Sequence, residues 1–344
     1  MSLYKRLIIK EIISETADTK TFILAMREDE DHFNYLPGQF LTLVFKARQG
    51  EERRSFSISS ALNEPLSITV KRIDNGAYSR LLFDKASVGD ELQTIGASGF
   101  FVLPKEIKAY KQIFFFAAGS GITPIFSLIK TLLFKNEDIS IVLIYSNRNA
   151  AAAIFYNELK ELQQRFANRF KIEFLFSSAI NLARARLSKW LIDILLKEYK
   201  TAGNADTLFY LCGPYEYMRM TTIGLLVNGV SEQNIHKEDF VPLKLEVKEL
   251  PPDINAHLVS IELNGTIHPI KVQYPDTILK AAKSAGLQMP YSCEAGRCGS
   301  CVALCKSGKV WMSYNEVLMD EEISKGLVLT CTGYPISGDV LLQI

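Results

Sequence analysis

The segment Cys293-Glu-Ala-Gly-Arg-Cys298-Gly-Ser-Cys301, with Cys331 further on, constrains this chain more than any other feature. A C-x4-C-x2-C run followed by a distant cysteine is the spacing of plant-type [2Fe–2S] ligation. Two sulfide-bridged ferric ions need four thiolates. One wrapping loop supplies three and a returning segment supplies the fourth. Gly296 and Gly299 let backbone N–H groups approach the sulfurs. The alternatives are a zinc site or buried thiols, but structural zinc usually takes two paired C-x2-C knuckles. Cys293, Cys298, Cys301 and Cys331 are therefore the expected metal ligands. Cys305 falls outside the pattern and is expected to be a small buried residue.

A chain of 344 residues has room for two or three domains. Its 39 basic and 38 acidic residues leave a net charge of +1, which argues against a nucleic-acid partner or a polybasic membrane surface. The first residues carry no signal-peptide pattern. The longest charge-free stretch, Ile113 to Ile129, is broken by Gly119-Ser-Gly121 and Thr123-Pro124, so it reads as a buried strand, a glycine turn and a helix start rather than a membrane span. A cytoplasmic protein without stable membrane insertion is expected, and its cysteines then serve as ligands or buried thiols rather than disulfides.

Patterning divides the chain into four parts. Residues 1–106 show short β-branched or alternating runs (Leu7–Ile13, Thr19–Met26, Phe40–Phe45, Ser55–Ser59, Leu66–Arg72, Glu91–Ile95) between turn signals, which predicts an antiparallel β-barrel. Over residues 107–240, strand-like runs (Ile113–Ala118, Ile139–Tyr145, Lys171–Ser177, Thr207–Cys212) alternate with helix-like ones (Ile125–Phe134, Ile154–Phe166, Leu187–Glu198, Tyr215–Asn228), which predicts an α/β domain with a parallel sheet. Residues 241–256, charged and holding Pro251-Pro252, read as an extended linker. Residues 257–344 mix short strands (Val259–Leu263, Ile267–Val272) with one helix, Thr277–Ala285.

Five further motifs carry chemistry. Arg53-Arg54-Ser55-Phe56-Ser57 sits in the β-rich part; on charge alone, paired arginines there are a solvated edge. Gly76 and Ser79, after Val70-Lys71-Arg72, would open a helix whose N-terminus suits an anion. Gly119-Ser-Gly121-Ile-Thr123-Pro124 ends a strand and begins a helix, where glycines admit a ligand's phosphates to backbone N–H groups. Cys212-Gly213-Pro214 also closes a strand, so the two glycine turns could line one crevice. Tyr145-Ser146-Asn147-Arg148 follows the second α/β strand.

Together these motifs resemble the ferredoxin–NADP reductase superfamily, with a C-terminal plant-type ferredoxin domain of β-grasp fold, in the manner of bacterial reductase components of hydroxylase systems. The resemblance implies that Arg54 pairs with the FAD pyrophosphate, Phe56 flanks the isoalloxazine and Ser57 reaches its N5, with Ser55 in the same segment. It implies that Lys71, Arg72, Gly76 and Ser79 line the ribityl and phosphate chain. Gly119, Gly121, Thr123, Gly213 and Pro214 then border the nicotinamide nucleotide, with Cys212 close to its C4. Ser146, Arg148 and Arg186 grip the 2′-phosphate of NADPH, a guanidinium being suited to bidentate phosphate contact. Glu238-Asp-Phe240 resembles a terminal segment whose aromatic covers one flavin face. Ser57, Cys212 and Glu238 are the implied catalytic set. The implied activity passes electrons from NADPH, or NADH, through FAD and the [2Fe–2S] cluster to an oxygenase or hydroxylase component. A redox sensor with the same cofactors, or a stand-alone NADPH:quinone or flavin reductase, remains as an alternative.

Overall fold

The computed structural model describes residues 3–27, 34–47, 50–135, 138–240 and 250–344. Three sheets follow one another along the chain. The first is antiparallel and six-stranded: β1 (Lys5–Thr16), β2 (Thr19–Met26), β3 (Phe40–Ala47), β4 (Gly50–Ser57), β5 (Ser67–Lys71) and β6 (Glu91–Ser98), in the order β4-β3-β6-β1-β2-β5. Leu7, Ile9, Phe22, Leu24, Leu41, Leu43, Ile68 and Val70 point inward from it and make one core. A bridge between Ile58 and Ile68 ties the two edges together, which gives the sheet its barrel-like closure. Helix α1 (Ala77–Lys85) packs at the β5 end.

The second sheet is parallel: β7 (Gln112–Ala118), β8 (Ser140–Asn147), β9 (Phe170–Phe176), β10 (Thr207–Cys212) and β11 (Ile235–Glu238), in the order β11-β10-β7-β8-β9. Helices α2 (Ile122–Phe134), α3 (Tyr156–Arg165), α4 (Lys189–Tyr199) and α5 (Tyr215–Val227) cover its two faces. Successive residues of β7 therefore enter different cores: Ile113 and Phe115 one, Phe114 and Phe116 the other. Burial on both faces explains the unbroken apolar run. The strand order reverses between β7 and β10, the topological switch point at which open α/β sheets bind ligands.

The third sheet is mixed: β12 (His257–Leu263), β13 (Thr266–Val272), β14 (Val302–Met312), β15 (Leu327–Leu329) and β16 (Gly333–Gln343), in the order β13-β12-β16-β14-β15, with β12 and β16 parallel. Helix α6 (Ile278–Ser284) buries Ile278, Leu279 and Ala282 against it, and α7 (Asp320–Ser324) precedes β15. Sequence patterning misses β14 and β16. The register of their pairing shifts around Ser307, in Cys305-Lys-Ser-Gly-Lys309, so the two-residue alternation that marks a strand is interrupted. Cys305 stands at that bulge. Contrary to expectation it is half-exposed, its thiol donating to the carbonyls of Ser307 and Gly308 at 3.4 and 3.8 Å.

Of the expected linker, residues 241–249 lie outside the described residues. Beyond them, Asp253 accepts from the backbone N–H groups of Asn255 and Ser337 at 2.9 Å and pairs with His257 at 2.7 Å, which fixes the entry into the third sheet. Among the described residues no helix is long and apolar enough to cross a membrane.

Candidate active site and cluster loop

The two glycine turns meet. Strand β7 ends at Ala118, the next residue Gly119 has a φ of +55° that suits glycine, and α2 begins at Ile122. A Cβ on Gly121 would fall 2.0 Å from the Cys212 carbonyl oxygen, and one on Gly213 would fall 3.0 Å from Ala118 Cβ. The backbones at the ends of β7 and β10 are thus in direct contact, and Gly121 has no room for a side chain. Tyr145 donates from its hydroxyl to Gly119 O at 3.1 Å and Tyr217 donates to Ala117 O at 3.2 Å; sequence reading assigned neither tyrosine. Thr123 is buried and closes the turn on itself by donating to Ser120 O at 2.9 Å. Pro214 caps α5.

Cys212 and Glu238 are register partners on β10 and β11, both buried. Burial raises the Cys212 thiol well above its ordinary range. Burial, with the charges of Asp239 and Cys293, pushes the Glu238 carboxyl up to about 8, so it holds its proton at neutral pH. Phe240 follows, 41% exposed. Ser146 keeps its hydroxyl buried, while Arg148 and Arg186 are exposed. The neighbouring Arg184 is taken up by Glu173 and Glu198 at 2.8 and 2.6 Å.

On the barrel, β4 presents two faces. Arg54 lies over the Tyr78 ring at 5.1 Å, near the start of α1, and is paired with Glu52 at 2.6 Å. Gly76 is the N-cap of α1; a Cβ there would come within 2.4 Å of Ser79 Oγ, which donates to Gly76 O at 3.1 Å. Lys71 pairs with Asp18 at 3.3 Å and Arg72 with Asp84 at 3.2 Å. Phe56 packs against the barrel core and Ser57 is buried. Ser55 faces the other way, its hydroxyl 2.6 Å from that of Ser292 in the cysteine loop.

The four motif cysteines come together as two pairs. The Cys293 backbone N–H donates to Cys298 Sγ and the Ala295 N–H to Cys293 Sγ, both at 3.4 Å. The Cys298 thiol and the N–H groups of Arg297, Ala295 and Cys298 hold Cys293 below its ordinary range, while Cys331 and its N–H lower Cys301. No group of three His, Cys, Asp or Glu side chains could hold a single ion among the described residues. Two thiol pairs fit a cluster in which each of two irons takes two thiolates. Gly296 and Gly299 have φ of +73° and +72°; a Cβ on Gly299 would strike the Phe100 ring at 2.6 Å.

Three family models match in chain order: an oxidoreductase FAD-binding domain over residues 6–103, an oxidoreductase NAD-binding domain over 115–222, and a 2Fe-2S iron-sulfur cluster binding domain over 261–335. The chain is 32% identical to the ferredoxin reductase component of 3-ketosteroid-9-alpha-monooxygenase from Mycolicibacterium smegmatis, across 96% of this chain and 94% of that one. It belongs to this family of ferredoxin reductase components. It is also 29% identical to an Escherichia coli 1,2-phenylacetyl-CoA epoxidase subunit, across 100% of this chain and 98% of that one. Phthalate dioxygenase reductase shares the fold with a TM-score of 0.60 at 24% identity, the match covering 99% and 98% of the two chains. The reductase is an oxidoreductase that uses FAD, a nicotinamide nucleotide and a [2Fe–2S] cluster. When bound, FAD accepts a hydride and gives up electrons singly, and the cluster relays them.

Proposed function

We propose that this chain is the reductase component of an oxygenase system, drawing on NADPH and delivering single electrons to a separate oxygenase or hydroxylase component in the cytoplasm. Two features support that partner: each full-length relative named above is a component of an oxygenase or epoxidase, and the cluster domain is carried on the same chain. The observation that carries the electron route is the 2.6 Å contact between Ser55 and Ser292. One of these residues adjoins Phe56 of the flavin motif and the other adjoins Cys293, so donor and acceptor sites abut.

In this reading Cys293, Cys298, Cys301 and Cys331 hold the cluster. Arg54, Phe56, Ser57, Lys71, Arg72, Gly76 and Ser79 hold FAD, with Arg54 exchanging Glu52 for the pyrophosphate beside the α1 N-terminus. Gly119, Gly121, Thr123, Gly213 and Pro214 shape the nicotinamide crevice, and Phe240 screens it. Cys212 packs a neutral, apolar thiol beside the reacting carbon. Glu238, buried beside Cys212 and held neutral by that burial, borders the hydride-transfer site without adding charge to it. Ser146, Arg148 and Arg186 take the 2′-phosphate, and no acidic residue lies between Ile141 and Phe155 to repel it.

Steady-state oxidation of NADPH and of NADH, with cytochrome c as acceptor, tests the cofactor preference. Reconstitution with an oxygenase component tests the partner. A kcat/KM that favours NADH would remove the NADPH assignment. Failure to support any oxygenase, with full transfer to a free quinone, would remove the partner assignment.

A further inference from the structure

Two buried guanidinium groups cross domain boundaries at the cysteine loop, and neither side chain has a role in the sites described above. Arg53, 5% exposed, extends from β4 of the barrel. It donates to Met289 O at 3.1 Å and Tyr291 O at 3.4 Å, lies 3.8 Å from the Tyr291 ring centroid, and is held by Glu51 at 2.6 Å. Glu51 also accepts from Tyr4 at 2.9 Å. Arg297, 4% exposed, lies between Cys293 and Cys298 and reaches the other way. It pairs with Asp239 of the nicotinamide domain at 3.3 Å, with Glu316 at 3.0 Å and with the Tyr314 hydroxyl at 3.0 Å.

Burying a charge is costly, and a buried ion pair is a weak source of net stability. What such a pair does enforce is one geometry, because any other leaves a charge desolvated and unmatched. Arginine suits this task. Its planar fork meets two carbonyls and a carboxylate at once and stacks on a ring, which a lysine point charge does not do. The strand alternation supplies the rest. Arg54 lies over Tyr78 and Phe56 packs on the barrel core, whereas Arg53 and Ser55 point toward the cysteine loop. Ser98 against Ser300 at 2.9 Å and Phe100 against Gly299 complete the seat.

We propose that Arg53 and the Arg297–Asp239 pair are positioning residues that clamp the cluster loop between the flavin and nicotinamide domains, so that electrons cross from flavin to cluster only in this docked arrangement. The proposal rests on the reductase reading above. A hydride from NAD(P)H brings two electrons to the flavin site and leaves NAD(P)+. The electrons depart one at a time, each reducing a ferric ion of the cluster to ferrous until the external acceptor takes it, and the hydride's proton passes to water. Neither arginine takes part in the hydride step. Loss of the clamp therefore slows the second stage alone.

The test uses the full chain with its cofactors, as Arg53→Gln and, independently on the other side of the loop, Asp239→Asn. Removing one partner of a buried charge pair is strongly destabilising to the contact, so flavin-to-cluster transfer in stopped flow should slow by at least about tenfold. Flavin reduction by NADPH should hold in Arg53→Gln, and FAD content and the electron paramagnetic resonance spectrum of the reduced cluster should hold in both variants. Small-angle scattering should show a larger radius of gyration, and hydrogen exchange over residues 289–300 should accelerate. Unchanged transfer, radius and exchange in both variants would overturn the clamp. Altered cluster spectra with an unchanged radius would overturn it as well, since Arg297 would then act on the cluster itself. An unaltered chain whose flavin is not reduced by NADPH would sink the functional reading alone, because scattering and exchange report on docking whatever the electrons do.

Discussion

The α-carbon of Gly121 lies so close to Cys212 that a methyl group placed on it would stand 2.0 Å from the Cys212 carbonyl oxygen and 2.8 Å from the Gly213 nitrogen. This contact joins the two turns at the strand-order reversal, where the proposed nicotinamide crevice lies. Gly121→Ala should therefore force the ends of β7 and β10 apart. The stability cost should be about 1–3 kcal/mol or more, with a large fall in the rate of flavin reduction by NADPH. Gly119→Ala is the control. Its Cβ would meet open space, and only the positive φ of 55° is strained. It should cost less than Gly121→Ala in thermal denaturation, and equal losses would mean that the backbone contact does not matter.

Much of this arrangement was legible in the sequence because local chemistry dictates it. The Gly119-Ser-Gly121 turn, the cysteine spacing and the alternation of apolar runs with helical stretches each work over a few residues. The inter-domain contacts were not legible. Arg53 and Arg54 are neighbours of the same type, and nothing in the sequence says that one meets carbonyls 236 and 238 residues away while the other stays beside Tyr78. Arg297 looks like loop filler until Asp239 is brought to it by the fold. Strand β14 is hidden because its bulge breaks the pattern that strands are recognised by. Cys305 differs from expectation for the same reason, since a bulge turns a residue partly outward.

Arg148 tests the nucleotide preference. Only NADPH carries the 2′-phosphate, so Arg148→Ala should raise KM for NADPH and leave NADH nearly unaffected. The loss of a charge-assisted contact should be about 1.5–3 kcal/mol, or roughly 10- to 150-fold. Steady-state kinetics with both nucleotides decide it, and an equal rise for NADH would show that Arg148 does not read the phosphate.

His236 should shape the acid side of the stability profile. Its ring stacks on Tyr210 with centroids 4.6 Å apart, and burial lowers its pKa to about 4. The neutral form is thus favoured in the folded chain. The unfolded chain gains a proton as pH falls below about 6.5, and the folded chain gains it only near 4. The histidine's contribution is full above pH 6.5 and is lost as pH falls through that window, a swing of at most about 3 kcal/mol. His236→Phe keeps a stackable ring without the titration. Its melting temperature should fall less between pH 7 and pH 4.5 than that of the unaltered chain, and parallel curves would rule the histidine out.

The cysteine pairs allow the electron route to be cut in one place at a time. Cys298→Ser removes one thiol from the Cys293 pair and should abolish the visible cluster absorbance, as should serine at Cys293, Cys301 or Cys331. Cys305→Ala should retain the cluster, because that thiol already has carbonyl partners at the bulge of β14 and stands outside both pairs. In the Cys298 variant, FAD reduction by NADPH should persist, since the flavin and nicotinamide sites lie within residues 1–240, while cytochrome c reduction should fail. Arg54→Ala should instead weaken FAD binding and stop both stages, because the proposed role of its guanidinium, which lies over Tyr78 at the start of α1, is to meet the pyrophosphate. Stopped-flow absorbance at the flavin band follows the first stage and cytochrome c reduction the second. Undiminished delivery to the physiological acceptor by a cluster-free Cys298→Ser chain would make the flavin the exit point for electrons, and the cluster would then lie off the path.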